Sequence, residues 1–197
     1  MIIGISGKIR SGKSRVAKTI IKILEKKGKT GVIKSFAEPI YKMISEMYEN
    51  DIEIIKEHKQ DNTPIYIKTP RTDSHDGFKI TNYRKVMQII GSGMRNYVDS
   101  DVWVNGLFGV NNEKLDDSIW IIEDMRFPNE AKRIRDCNGL LIRVERDIHQ
   151  PNANIMENSL NDWTDWDLVI ENNFKTKEKR NKGLKEILKK YLSEQEW

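Results

Sequence analysis

Apolar and polar positions along this chain alternate between two periods. MIIGIS (1–6) is a short continuous apolar run, which predicts a buried strand. Residues 14–27 then carry Val16, Ile20, Ile23 and Leu24 at helical spacing, and Gly28 can end that helix. TGVIKSF (30–36) predicts a second strand. Ile40, Met43, Ile44 and Met47 restore the helical period over 39–49, with Pro39 suited to the first turn. A further helix is predicted over 83–97. SIWIIED (118–124) is apolar without alternation, as a strand covered on both faces requires. A helix from Pro128 to Cys137, stopped near Gly139, leads to strands over 140–146 and 167–172 and a last amphipathic helix over 176–193.

Two stretches lack a clear period. Residues 50–82 are punctuated by Asn62, Pro64, Pro70, Asp73, Asp76 and Gly77, which predicts loops with one helix over 51–60. Residues 146–166 are the other, and such segments in a compact domain often serve as lids or substrate loops. Strands alternating with helices predict an α/β fold with a mostly parallel sheet and helices on both faces. No internal repeat, low-complexity tract or linker interrupts the pattern.

Composition changes this picture little. The 197 residues suffice for one compact domain with a core, and 38% hydrophobic against 32% charged residues is an ordinary balance on the polar side. No apolar run approaches the ~20 residues of a membrane span. The N-terminus passes straight into a Gly-rich loop, so no signal peptide and a cytoplasmic setting are expected. One cysteine, Cys137, excludes an internal disulfide framework. A net charge of +4 suits a pocket that gathers phosphates as well as it suits nucleic acid. The densest basic run, Lys175 to Lys190, is interleaved with Glu178 and Glu186 as a solvated helix face, so no stable nucleic-acid partner is expected.

The candidate chemistry begins after the first strand. Gly7, Lys8, Ile9, Arg10, Ser11, Gly12, Lys13 and Ser14 fit G-x-x-x-x-G-K-[ST] at every fixed position, between a strand and a helix as the phosphate-cradling mechanism requires. Glycines let successive N–H groups point inward, and the helix N-terminus adds partial positive charge. Lys13 would bridge the β- and γ-phosphates of ATP, and Ser14 would place a hydroxyl on Mg²⁺. Lys8 and Arg10 are either extra charge near the phosphates or exposed loop residues.

Two further features could complete a site. In YRKVMQIIGSGMRNY, Arg84, Gln88, Gly91 and Arg95 share one helical face, beside an apolar face of Tyr83, Met87, Ile90, Met94 and Tyr97. Those arginines either bind phosphate oxygens or sit on an ordinary amphipathic surface. Gly91 and Gly93, each costing roughly 1 kcal/mol in a helix, suggest a close ligand or a break. Strand 118–123 ends in Glu123 and Asp124, and an apolar strand ending in Asp is the pattern in which a carboxylate supports Mg²⁺. Arg126 could reach a phosphate or pair with Asp124. Glu130 could bond a base or sugar, or favour a helix N-terminus. His58, His75 and His149 show no metal spacing.

These segments in this order resemble the deoxynucleoside monophosphate kinases of bacteriophages and some bacteria. The likeness runs through GISGKIRSGKS (4–14), KSFAEPIYKMI (34–44), RKVMQIIGSGMRNYVDSDVWV (84–104) and IIEDMRFPNEAKRIRDCNGLLIRVERD (121–147), with a weaker tail from MENSLND (156–162). It implies a P-loop three-layer α/β/α kinase domain over 1–197. Its core would be about 1–36, 116–146 and 166–197, its acceptor segment about 37–110 and its lid about 146–166. It implies ATP-dependent phosphorylation of a deoxynucleoside 5′-monophosphate, with Mg²⁺, by a homodimer (in the host cytoplasm for a viral protein). Gly7, Ser11, Gly12, Lys13 and Ser14 would hold ATP. Phe36, Ala37, Arg84, Lys85, Gly91, Trp103, Asp124, Arg126, Glu130 and Glu157 would line the acceptor site. The family has Ser-Glu where this chain has Met156 and Glu157, so base preference is not implied.

The chemistry needs little from side chains beyond charge and position. A nucleotide phosphate is already largely dianionic at neutral pH, with a second pKa of ~6, and attacks without a general base. Lys13, Asp124 through Mg²⁺, Arg84, Arg95 and Arg126 would neutralise and orient, and Arg143 or Arg146 could close over ATP. Two other readings remain open: a small-metabolite kinase using Asp124 or Glu38 as base, and a nucleotide-dependent switch or nucleic-acid-binding ATPase.

Overall fold

A computed structural model describes residues 1–61, 64–68, 78–147 and 158–195. The elements are β1 (Ile2–Ser6), α1 (Lys13–Lys26), β2 (Gly31–Lys34), α2 (Glu38–Tyr48), α3 (Ile52–Asp61), β3 (Pro64–Lys68), β4 (Phe78–Asn82), α4 (Tyr83–Tyr97), α5 (Val102–Phe108), β5 (Ile119–Ile122), α6 (Pro128–Asp136), β6 (Leu140–Glu145), β7 (Leu168–Glu171) and α7 (Lys177–Ser193). They divide into two compact units, one of Met1–Phe36 with Phe108–Trp197 and one of Ala37–Leu107.

The first unit is a five-stranded sheet in the order β2-β5-β1-β6-β7, with every pairing parallel. The crossover from β1 through α1 to β2 skips a place that β5 later fills. β6 and β7 then add on the far side of β1, so the order reverses there. Ligands of open α/β sheets bind beyond the strand ends at such a reversal.

Both faces of the sheet are covered, giving three layers. Ile3 and Ile5 of β1, Ile119 and Ile121 of β5, and Ile142 and Val144 of β6 pack with Val16, Ala17 and Ile20 of α1 and Leu184, Leu188 and Leu192 of α7. Each of the Val, Leu and Ile side chains contributes about 1.5–3 kcal/mol on burial. Alternation along β1 sends Gly4 to the other face, beneath α6. A methyl group there would lie 2.6 Å from Ile134 Cδ1 and 3.1 Å from Met125 Sδ, so α6 sits this close only over glycine. Trp120 shares the α6 side with Phe108, ring centroids 5.7 Å apart. At the end of α1, Gly28 turns the chain at φ 69° and the Lys29 N–H returns to the Leu24 carbonyl.

The second unit packs α2, α3 and α4 around Ile40, Ile44, Ile55, Tyr83, Met87 and Trp103. Its α3 matches the helix expected over 51–60, but two elements differ from expectation. β3 and β4 pair antiparallel, Pro64 with Asn82 through Lys68 with Phe78, where loops are expected. The strands are short, Pro64 opens one of them, and their partners lie far apart in sequence, so no tight-turn signal announces the pair. α5 is likewise unannounced, because Val102, Val104 and Gly106 are poor helix formers. Burial of Trp103, Val104 and Leu107 outweighs that propensity.

Candidate functional site

Because the five strands are parallel, their carboxyl ends share one edge, and β1 runs from there into the loop 7–14. The loop takes conformations that few residues tolerate. Gly7 has φ 149°, Arg10 φ 61° and Gly12 φ 107°. Sterics demand the two glycines as well. A Cβ on Gly7 would collide with the Val144 carbonyl and approach Ser11 Oγ to 2.6 Å, and one on Gly12 would collide with the Asn172 amide. The first bonds of α1 run from the Arg15 and Val16 N–H groups to the Gly12 carbonyl, leaving the Lys13 and Ser14 amides at the positive helix end. No acidic residue stands in the first turn to neutralise it. Lys13 Nζ folds across the loop, donating to the Gly7 carbonyl at 2.6 Å and the Lys8 carbonyl at 2.9 Å. Ser14 is exposed and Ser11 buried.

Sequence reasoning missed what lies under the loop. Asn172 follows β7 and is 1% exposed. Its Nδ2 donates to the Ser11 carbonyl at 2.6 Å, its backbone N–H to the Glu145 carbonyl at 2.7 Å. A polar residue closing the apolar run DLVIEN was the available signal, the same one that singled out Asp124.

The two arginines weighed for a lid separate. Arg146 is exposed and donates to the Arg10 carbonyl at 3.3 Å, so it rests on the loop. Arg143 is only 7% exposed. It reaches Ser6 Oγ at 3.3 Å and Asn161 Oδ1 at 3.4 Å, with its guanidinium 5.6 Å from the Trp166 ring. It is fixed to the sheet, which removes it as a closing group.

At the end of β5, Asp124 ties two strands together. Its Oδ2 accepts from Ser35 Oγ at 2.6 Å and its Oδ1 from the Phe36 N–H at 2.9 Å. Phe36 is buried and stacks on Phe108, centroids 6.1 Å apart. Glu130 is 2% exposed, and its Oε2 accepts from the Arg126 N–H at 2.6 Å and the Phe127 N–H at 3.0 Å. That carboxylate therefore caps α6 from within the turn. The Arg126 side chain stays exposed. Neighbouring Glu123 has a buried Oε2 with no hydrogen-bond partner.

The remaining residues belong to the second unit. On α4, Tyr83 and Met87 are buried, and Ile90 and Met94 pack beside them, but Tyr97 is 89% exposed, so the expected apolar face stops short of it. Arg84 and Arg95 are half-buried and Lys85 is exposed. Arg84 Nη2 donates to the Lys59 carbonyl at 3.2 Å. Neither glycine breaks the helix. Gly91 is approached by Ile40, 3.3 Å from an added Cβ, and nothing lies within 4 Å of one on Gly93. Trp103 is 3% exposed and its Nε1 donates to the Gly91 carbonyl at 2.9 Å. Ala37 precedes α2. Glu157, with 148–157 of the expected lid, lies outside the described residues.

Among the described residues no three His, Cys, Asp or Glu side chains cluster as a metal cage, and no helix is long and apolar enough to cross a membrane. No family model matches the chain. It is similar to a protein of Acanthamoeba polyphaga mimivirus provisionally named a deoxynucleotide monophosphate kinase. The two are 28% identical over 191 residues, covering 88% of this chain and 89% of the relative.

Proposed function

We propose that this protein is a nucleotide kinase that moves the γ-phosphoryl group of ATP to the phosphate of a deoxynucleoside 5′-monophosphate, giving the diphosphate and ADP. One observation carries the reading: a loop at the carboxyl end of β1 whose glycines are sterically required and whose lysine lies across its own carbonyls. The name of the mimivirus relative supports a nucleotide as the acceptor.

Triphosphate oxygens would take the place of the Gly7 and Lys8 carbonyls as partners of Lys13 Nζ. The Lys13 and Ser14 amides add the helix end to the same cradle. Mg²⁺ fits these residues, since Ser14 exposes a hydroxyl at the helix start and a buried carboxylate oxygen at the end of β5 awaits a donor. When bound, the ion would draw charge from the β- and γ-oxygens. Arg146, already on the loop, is the cation best placed to meet the triphosphate.

The acceptor phosphate, as a dianion, attacks phosphorus directly while the bridging oxygen leaves with ADP, and no proton has to move. Arg84 and Arg95 of α4 and the exposed Arg126 are the groups assigned to hold it, with Lys85 adding charge. Glu130 and Trp103 act by fixing the turn before α6 and the Gly91 backbone. Phe36 and Ala37 begin the acceptor segment, and Glu157 belongs to the same proposed set. An alcohol as acceptor would need a free base. Asp124 is engaged by Ser35 and Phe36, and Glu38 pairs with Lys42 at 2.9 Å, so neither favours that route.

Incubation with Mg-ATP and each common dNMP and NMP tests the proposal. Diphosphate and ADP in equal amounts are expected with at least one dNMP. No diphosphate from any acceptor would refute it.

A further inference from the structure

Two carboxylates, Glu123 and Asp124, follow β5 side by side, and the sequence pattern points to Asp124 as the one that serves a metal. Their surroundings differ. β5 ends at Ile122, paired with Lys34, and just beyond it the Phe36 N–H donates to Asp124 Oδ1. Side chains along a strand alternate between faces. Ile119 and Ile121 pack into the cluster that contains Val16, Ala17 and Ile20, and position 123, the first residue past the strand, has the parity of that α1 face. That helix begins with Lys13 and Ser14. Position 124 has the opposite parity, and both Asp124 oxygens are drawn to the end of β2.

The second observation is the orphaned oxygen. Glu123 Oε2 is buried with no hydrogen-bond partner. Leaving such an acceptor unmet is costly, and more so when it is charged. A bound cation with its water shell would relieve that cost by supplying both positive charge and O–H donors. Mg²⁺ suits one carboxylate well, since it keeps several waters and takes its other ligands from substrate phosphates.

We propose that Glu123, and not Asp124, is the carboxylate that supports Mg²⁺ in the nucleotide complex, accepting hydrogen bonds from water on the ion. Asp124 is a positioning residue that locks the end of β5 to Ser35 and Phe36. This assignment rests on the reading of the loop as an ATP site.

Mn²⁺ in place of Mg²⁺ gives a readout separate from turnover. Free Mn²⁺ is titrated by EPR in the presence of saturating ADP, with the wild type, Glu123→Gln and Asp124→Asn. Loss of a group that orders metal-bound ligands commonly costs 10–100-fold in metal affinity. Glu123→Gln is expected to weaken Mn²⁺ by at least ~10-fold on that basis, with the affinity for metal-free ADP unchanged, while Asp124→Asn keeps wild-type Mn²⁺ affinity. Without nucleotide, the Tm of Glu123→Gln is expected to equal or exceed that of the wild type, because a buried unmet charge is removed. Unchanged Mn²⁺ affinity in Glu123→Gln, a loss confined to Asp124→Asn, or a lowered Tm in Glu123→Gln would overturn the assignment while leaving the ATP site standing. A wild type that binds no adenine nucleotide would overturn both.

Discussion

The loop 7–14 and helix α4 both carry candidate phosphate-binding cations, yet the chain builds them by different means. The loop is constrained from several directions at once. Gly7 and Gly12 have positive φ, and Val144 and Asn172 crowd the places where their side chains would stand. Its lysine is held by two carbonyls of the loop itself. α4 is an ordinary amphipathic helix, capped by Asn82, which accepts from the Lys85 N–H at 2.9 Å. Its arginines depend on neighbours for their aim, as Arg84 does on Lys59. A loop written into backbone conformation resists substitution at its glycines, whereas side chains on a regular helix can be altered singly.

Substitutions can break this contrast or sharpen it. Lys13→Ala should have the largest effect, a fall in kcat of about 10²–10³-fold or more with the fold intact by circular dichroism. Arg84→Ala should instead raise the KM for the acceptor while the KM for ATP stays constant, and equal changes in both would erase the distinction. Asn172→Ala leaves the Ser11 carbonyl unmet at a cost of about 1–3 kcal/mol, and it should raise the KM for ATP as well as lower the Tm. A loss of Tm without any change in ATP affinity would reduce Asn172 to a packing residue. The paired glycine test is the mildest. Gly93→Ala should stabilise α4 by up to about 1 kcal/mol, since open space surrounds it, whereas Gly12→Ala should destabilise because both φ and Asn172 oppose it. Chemical denaturation of the two variants reads the difference directly.

Legibility in the sequence follows the same division. The parallel strands were plain because MIIGIS, SIWIIED and LLIRVER are buried on both faces and cannot be mistaken for half-exposed segments. The loop was plain because its glycines answer to local geometry. β3 and β4 were not, since pairing between distant short strands leaves no local mark, and α5 forms against its own propensity through the burial of Trp103 and Leu107. Asn172 escaped notice because its partner, the Ser11 carbonyl, lies 161 residues away. Glu130 shows the limit of motif reading. The sequence leaves it open between a base or sugar contact and the helix N-terminus, and its carboxylate turns inward to the Arg126 and Phe127 amides at the start of α6.

The loop at Gly7 to Ser14 is proposed to hold ATP, and the central claim concerns where its γ-phosphoryl group goes. ATP labelled at the γ-phosphorus, supplied with Mg²⁺ and an accepted dNMP, decides it. Label is expected in the β-phosphate of the deoxynucleoside diphosphate, in step with ADP. Label released only as inorganic phosphate, at a rate indifferent to the dNMP, would contradict the claim and make the protein a nucleotide hydrolase.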